Sequence, residues 1–252
     1  DFWLGSNLLE FTSLPYDTTL YDTNGEPVQL PGYRIDALTD VAIRKITDWK
    51  DNPFFLMISY LEPHQQNQWD NFPAPLGYEK AFSTAAIPAD LRSLQSTARS
   101  HYPGYIGMVK RLDEALGRIL EALISLDLME DTILLYTSDH GCHFKSRNAE
   151  YKRSAHESSI RVPTAFSGPG FNGGGRIEQL VSLVDIPPTL LDACNIEVPK
   201  EMEGRSILPL LRGESEDWPS TVFFQISEDV VGRGLRTHRW KYAVTAPDAD
   251  PF

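Results

Sequence analysis

Apolar runs that stop abruptly on polar residues divide this chain. Ile133-Leu134-Leu135-Tyr136 is apolar at four successive positions and ends on Thr137-Ser138-Asp139-His140-Gly141. Such a run predicts a strand buried on both faces, as in a parallel sheet, and its polar tail predicts a loop at the carboxyl end. Phe54-Phe55-Leu56-Met57-Ile58-Ser59-Tyr60 is a second run of this kind and leads into Leu61-Glu62-Pro63-His64. A third, Arg161–Phe166, closes on Ser167-Gly168-Pro169-Gly170. A helical period recurs twice. Leu38, Val41, Ala42, Ile46 and Trp49 predict a helix from Arg34 to Trp49, capped by Asp36 or Thr39 and ended by Asn52-Pro53. Ile106, Val109, Leu112, Leu116, Ile119, Leu120 and Leu123 predict a long helix from Tyr102 to Leu126. Asp185-Ile186-Pro187-Pro188-Thr189 reads as an N-capped helix with Pro in its first turn.

The remaining stretches show no regular period. Residues 1–35 read as loops with a hairpin at Asn24-Gly25, a good turn dipeptide. Residues 65–100, rich in Gln, Asn, Pro and Ser, read as a long excursion of the lid or binding type. Val222–Ile226, Gly234–Thr237 and Trp240–Val244 read as short antiparallel strands. The order helix–strand–loop–helix–strand–loop–strand–helix predicts an α/β fold with a mostly parallel central sheet flanked by helices. The change of texture predicts a domain over 1–214 and the start of a small C-terminal antiparallel subdomain over 215–252.

Composition narrows the class. The 252 residues carry a net charge of -12, which argues against nucleic acid as a partner. Hydrophobic residues make up 41% and charged ones 23%, the balance of a globular protein. No apolar run is long enough to span a membrane. Two cysteines, Cys142 and Cys194, are too few for a disulfide framework and leave the redox compartment open.

Candidate chemistry gathers at the predicted strand ends, where open α/β sheets bind ligands. Asp139 and His140 can bring a carboxylate oxygen and an imidazole nitrogen onto one metal ion. His64 follows the other core run and is expected at the same sheet edge. Lys145, Arg147, Lys152 and Arg153 then concentrate positive charge in an acidic chain, with only Glu150 among them. Beside a metal they suit a sulfate or phosphate ester, which Arg holds with paired hydrogen bonds and Lys as a point charge. The aromatics Phe2, Trp3, Phe11, Tyr16, Tyr21 and Tyr33 read first as packing and second as a stacking surface for a sugar or aryl ring.

Taken in order, these segments resemble the sulfatase family of the alkaline-phosphatase superfamily. Pro53–His64 resembles the family's Pro-Phe-Phe-Leu-x-x-Ser-x-x-x-Pro-His strand. Asp113-Glu114-Ala115-Leu116-Gly117-Arg118 resembles its helix pattern, and Thr137-Ser138-Asp139-His140-Gly141 its second metal-ligand motif. Glu157-Ser158-Ser159-Ile160-Arg161-Val162-Pro163, Ser167–Gly170, Asp185–Leu191 and Arg236-Thr237-His238-Arg239-Trp240-Lys241-Tyr242 resemble later landmarks. Asp1-Phe2-Trp3-Leu4-Gly5 resembles the Gly-Phe-Asp-x-(Trp/Phe) segment.

The resemblance implies an alkaline-phosphatase-like fold and removal of sulfate from a small-molecule or oligosaccharide sulfate ester; the aromatic N-terminal segment and the rich loop at 142–156 fit a sulfated saccharide better than a small aryl sulfate. It implies Asp139 and His140 as metal ligands, usually for Ca²⁺, although many relatives have Asn at the second position and Ca²⁺ prefers oxygen. It implies Lys152 as the lysine that binds the sulfate and His64 as general acid or hydrogen-bond donor at the leaving group. His143, Arg147, Asn148 and His156 fall in the variable part of the loop and are expected to recognise substrate. A periplasmic or secreted location is suggested by the resemblance only.

One departure is large. The family nucleophile lies in a Cys/Ser-x-Pro-x-Arg motif whose first residue becomes formylglycine, and no such motif occurs here. The first metal-binding Asp pair and the Lys-Trp-His motif are absent as well. In relatives all of these precede the segment matched by Asp1. The expectation is therefore a C-terminal part of a longer sulfatase, with the formylglycine nucleophile outside this chain. The missing N-terminal segment is its expected partner, and this piece alone is expected to be inactive or poorly soluble. The competing readings are a phosphodiester or phosphonate monoester hydrolase of the same superfamily and a non-catalytic sugar-binding protein.

Overall fold

The structure is a computed structural model, and it describes residues 1–6, 13–214, 216–227 and 231–246. The chain divides into two compact units, Asp1–Met129 and Glu130–Phe252. Phe11 lies outside the described residues. No helix among the described residues is long and apolar enough to cross a membrane.

The first unit opens with a small antiparallel sheet of β1 (Leu4–Gly5), β2 (Ser13–Leu14), β3 (Asp17–Asp22) and β4 (Pro27–Leu30). β3 and β4 form the hairpin at Asn24-Gly25, whose glycine adopts a φ of 80°. Helix α1 (Arg34–Trp49) follows, with Tyr33 at its N-cap and no side-chain cap. The expected cap Thr39 instead donates its hydroxyl to the Ile35 carbonyl at 2.6 Å and meets the Tyr60 hydroxyl at 2.8 Å. Ile35, Thr39, Ala42 and Ile46 are its buried stripe, one turn apart as helical geometry requires. Ala37 packs with Leu20 and Leu30 toward the sheet, with Leu38 and Val41 beside them. Tyr33 and Ile35 pack with Leu112 and Ala115 of the long helix α4.

The short helices α2 (Tyr78–Ala81) and α3 (Ala89–Arg92) interrupt the polar excursion before α4 (Ala98–Ser125). α4 begins four residues before the expected Tyr102 and carries Pro103 inside it. Arg111 and Arg118 of α4 reach Asp36 and Asp40 of α1 and tie the two helices along their exposed edge. Phe2 and Tyr16 take part in ring packing, against Trp49 and Tyr33 respectively.

Two expectations about the sheet need correction. Residues 54–60 form no regular element and join no ladder among the described residues, and their burial alternates instead of being complete. Phe55 and Met57 are 78% and 77% exposed. The apolar run is real, and Phe54 and Tyr60 pack against Trp49 and the α1–α4 cluster, but a buried strand also needs ladder partners, and the described residues supply none. The second correction concerns β5 (Leu134–Thr137) and β6 (Thr164–Ser167), which pair antiparallel, with Leu135 opposite Phe166. β5 is half-buried rather than enclosed. Every strand pairing among the described residues is antiparallel, so the mostly parallel sheet is not assembled from them.

After β5 the second unit continues through α5 (Glu157–Ile160), β6, α6 (Ile186–Ala193) and α7 (Leu208–Leu211). Asp185 caps no α6 amide with its side chain. Its carboxylate instead accepts from the Ser182 and Arg205 backbone amides at 2.8 and 2.9 Å. The chain closes in the expected antiparallel sheet of β7 (Thr221–Ile226), β8 (Val231–Thr237) and β9 (Lys241–Ala246).

Candidate active site

The end of β5 is a tight polar turn. The Asp139 carboxylate accepts the His140 backbone amide at 2.7 Å, and its other oxygen lies 3.3 Å from His140 Nε2. The Ser138 hydroxyl donates to the His140 carbonyl at 2.9 Å, and His140 Nδ1 is 3.0 Å from the Gly141 carbonyl. The turn therefore presents an exposed carboxylate with an imidazole at its side. Both are metal-ligating types, but the pair is a partial shell. No group of three or more His, Cys, Asp or Glu that would hold a metal occurs among the described residues. Ca²⁺ takes six to eight oxygens, so these two side chains fit one edge of a divalent site and leave most of it to other donors.

Gly141 fastens the turn to α5. Its amide donates to the Ser159 carbonyl at 2.7 Å. A Cβ at Gly141 would stand 2.1 Å from the Ser158 carbonyl oxygen, so only glycine lets α5 approach this closely. The Ser154 and Ser159 hydroxyls meet at 2.8 Å and close the loop onto α5.

The loop between the turn and α5 carries the remaining expected residues. His143 is fully buried, its amide donates to the Tyr151 carbonyl at 2.7 Å, and its ring nitrogens have no partner among the described residues. Burial pushes its imidazole down to about 4, with the charges of His156 and Arg147 adding to the effect. The ring is therefore neutral at physiological pH. Phe144 and Lys145 take left-handed backbone angles, 51° and 57° in φ. Lys145 lies over the Tyr151 ring at 4.7 Å, and Arg153 pairs with Glu150 at 2.6 Å. Two of the four expected cations thus have structural partners within the loop. Asn148 donates to the Arg153 carbonyl at 2.8 Å and accepts the Glu150 amide at 2.9 Å, so it too shapes the loop. Arg147 and His156 are exposed, and Lys152 is half-buried with its charge felt at Cys142. Burial dominates at Cys142 and pushes its thiol up to about 11.

Asp139, His140, His143, Arg147, Asn148, Lys152 and His156 all belong to the second unit. His64 belongs to the first, half-buried in a turn where its amide donates to the Leu61 carbonyl at 3.0 Å and its Nδ1 lies 2.6 Å from the Gln65 carbonyl. Two residues before it stands Glu62, wholly buried and paired with Arg34 at 2.9 Å.

The sequence pattern assigns no role to Glu157, Arg236 or Lys241. Glu157 Oε1 accepts from Arg236 Nε at 2.9 Å and from Lys241 Nζ at 3.2 Å. Burial pushes the Glu157 carboxyl up, but these two cations outweigh it and hold it below the usual value. Burial also lowers His156, helped by Arg147 and Lys241. Both cations stand in a segment already noted as a landmark, yet the contact spans 79 and 84 residues, which no local pattern reveals.

Comparisons with known proteins give the family. The sulfatase family model matches residues 1–196. The chain belongs to the sulfatase family. Members of this family generally use a metal and a formylglycine nucleophile. The N-sulphoglucosamine sulphohydrolase C-terminal model matches residues 149–250 of this sulfatase chain. Arylsulfatase K of Mus musculus is 37% identical over 155 residues, covering 58% of this chain and 28% of its own. N-acetylglucosamine-6-sulfatase of Homo sapiens is 30% identical over 246 residues, covering 86% of this chain and 44% of its own. The chain thus spans less than half the length of these curated relatives. A solved structure described as a complex with its substrate D-glucosamine-2-N,6-O-disulfate superposes with a TM-score of 0.79 at 22% identity, covering 99% of this chain and 68% of that one. The fold is accordingly the alkaline-phosphatase-like α/β fold, with small antiparallel sheets.

Proposed function

We propose that the protein carrying this chain is a sulfuric ester hydrolase that removes sulfate from a saccharide. The observation that carries this reading is the Asp139–His140 turn, presented at the end of β5 and followed by the loop that holds Lys152. The saccharide preference draws on two relatives, one named N-acetylglucosamine-6-sulfatase and one solved in complex with its substrate D-glucosamine-2-N,6-O-disulfate.

Asp139 and His140 would hold a divalent metal together with donors outside this chain. When bound, that ion supplies Lewis-acid stabilisation of charge on the sulfate oxygens. Lys152 binds the same oxygens as a point charge and favours the state in which their charge grows. His64 holds a proton at the ester oxygen that leaves, which matters most when that oxygen belongs to a sugar alcohol, a poor leaving group. Arg147 and His156, both exposed, recognise the saccharide, with the exposed Asn148 and the buried His143 shaping the loop around them. The nucleophile, a formylglycine in this family, is expected upstream of Asp1.

The test uses the full-length protein with sulfated sugars and an activated aryl sulfate. His64→Asn should lower kcat on the sugar sulfate by about 10²- to 10⁴-fold and spare the aryl sulfate, whose leaving group needs no proton. Equal losses on both substrates would refute the role of His64. Turnover of phosphonate monoesters in preference to every sulfate ester would refute the sulfatase reading itself.

A further inference from the structure

Arg236 and Lys241 stand directly opposite each other on β8 and β9. Like charges opposed across two strands repel and weaken the pairing. Here the carboxylate of Glu157 lies between them, and a single oxygen, Oε1, receives both cations. Arg236 Nη1 is buried without a partner among the described residues, so its neutralisation falls on Glu157.

α5 also lies against the turn that ends β5. The Ser159 carbonyl takes the Gly141 amide at 2.7 Å, and the missing side chain of Gly141 leaves no slack at the Ser158 carbonyl. A continuous set of contacts therefore runs from the C-terminal sheet through Glu157 and α5 to the residue next to His140. α5 has only four residues, too few to hold its own place by helical hydrogen bonds.

We infer that Glu157 is a positioning residue. The clamp of Arg236 and Lys241 on its carboxylate sets α5, and α5 sets the Asp139–His140 turn through Gly141. The C-terminal sheet is on this view part of the site's scaffold, although none of its residues is assigned to substrate or metal. The consequence for metal binding rests on the proposed function; the clamp itself rests on geometry alone.

The experiment compares wild type, Glu157→Ala, Glu157→Asp and Lys241→Gln in the full-length protein. Hydrogen exchange is followed at the Gly141 amide and calorimetric affinity for Ca²⁺ or Mn²⁺ is measured. Glu157→Ala should speed Gly141 exchange by about fivefold, the scale of a partly exposed ion-pair network, while the β5–β6 ladder keeps its protection. Divalent affinity should fall by a similar factor, about fivefold, and kcat should fall more than KM rises. Glu157→Asp should recover part of each loss. Lys241→Gln, which keeps one of the two cations, should give a smaller change of the same sign and decides the matter if Glu157→Ala does not fold. Unchanged Gly141 exchange in the variants that fold would overturn the clamp. Faster Gly141 exchange in a protein whose wild type hydrolyses no sulfate ester would uphold the clamp and overturn the sulfatase reading instead.

Discussion

Replacing Arg34 by Met tests what the most buried charge pair does for the fold. The side chains of Arg34 and Glu62 are 1% and 0% exposed. Arg34 donates Nε to Glu62 Oε1 at 3.0 Å and Nη1 to the Ser13 hydroxyl and carbonyl at 2.8 and 3.2 Å. Glu62 Oε2 is buried with no partner among the described residues. Burial pushes the Glu62 carboxyl above its usual value, and Arg34 only partly offsets this. The pair is therefore a weak source of stability as it stands, but half of it is worse than none. Arg34→Met leaves a buried carboxylate without its counter-ion and should cost about 3–5 kcal/mol. Arg34→Met with Glu62→Leu should recover most of that loss, since a well-packed apolar pair removes both desolvation penalties.

The pH dependence has a definite sign. A carboxyl whose folded pKa is raised binds protons more readily when folded, so its contribution is fully present below the unfolded value of 4.5 and is lost as pH rises through the folded value. The deficit of Arg34→Met should accordingly shrink on acidification. Two units make a single unfolding curve unsafe, so hydrogen exchange of the α1 and α4 amides at neutral and mildly acidic pH is the suitable assay. A loss below about 1 kcal/mol, or a double variant as unstable as the single one, would refute the reasoning. Because Glu62 stands two residues before His64, the same variant should also disorder that turn.

Two further outcomes are expected. Gly168 has a φ of 112°, and a Cβ there would meet the Thr132 carbonyl oxygen at 2.1 Å, whereas Gly173 has nothing within 4 Å. Gly168→Ala should cost about 2–4 kcal/mol by hydrogen exchange of the β5 and β6 amides and Gly173→Ala almost nothing; equal effects would exclude the close approach as the cause. His143 is lowered from 6.5 to about 4, so the stability it contributes is present above the ordinary imidazole value and is lost as pH falls through about 4. His143→Gln should flatten the acid limb of the stability profile, and an imidazole that titrates at its ordinary value in NMR would contradict its burial.

What the sequence determined by itself is what short-range physics encodes. The apolar period placed α1 and α4, because helical neighbours three and four residues apart share a face. Asn24-Gly25 marked its hairpin because the turn needs left-handed backbone. The order of Asp139-His140-Gly141, Lys152 and Ile160-Arg161-Val162-Pro163 located the turn and the family. Tertiary structure decided the rest. Residues 54–60 and β5 look alike as apolar runs, yet one forms no ladder among the described residues and the other pairs antiparallel with β6. A run of apolar residues states that a strand seeks neighbours, not which neighbours it finds. Likewise Arg34 meets Glu62 across 28 positions, and Glu157 meets Lys241 across 84. Charges that distant carry no periodic signal, and only the folded backbone brings them within hydrogen-bonding reach.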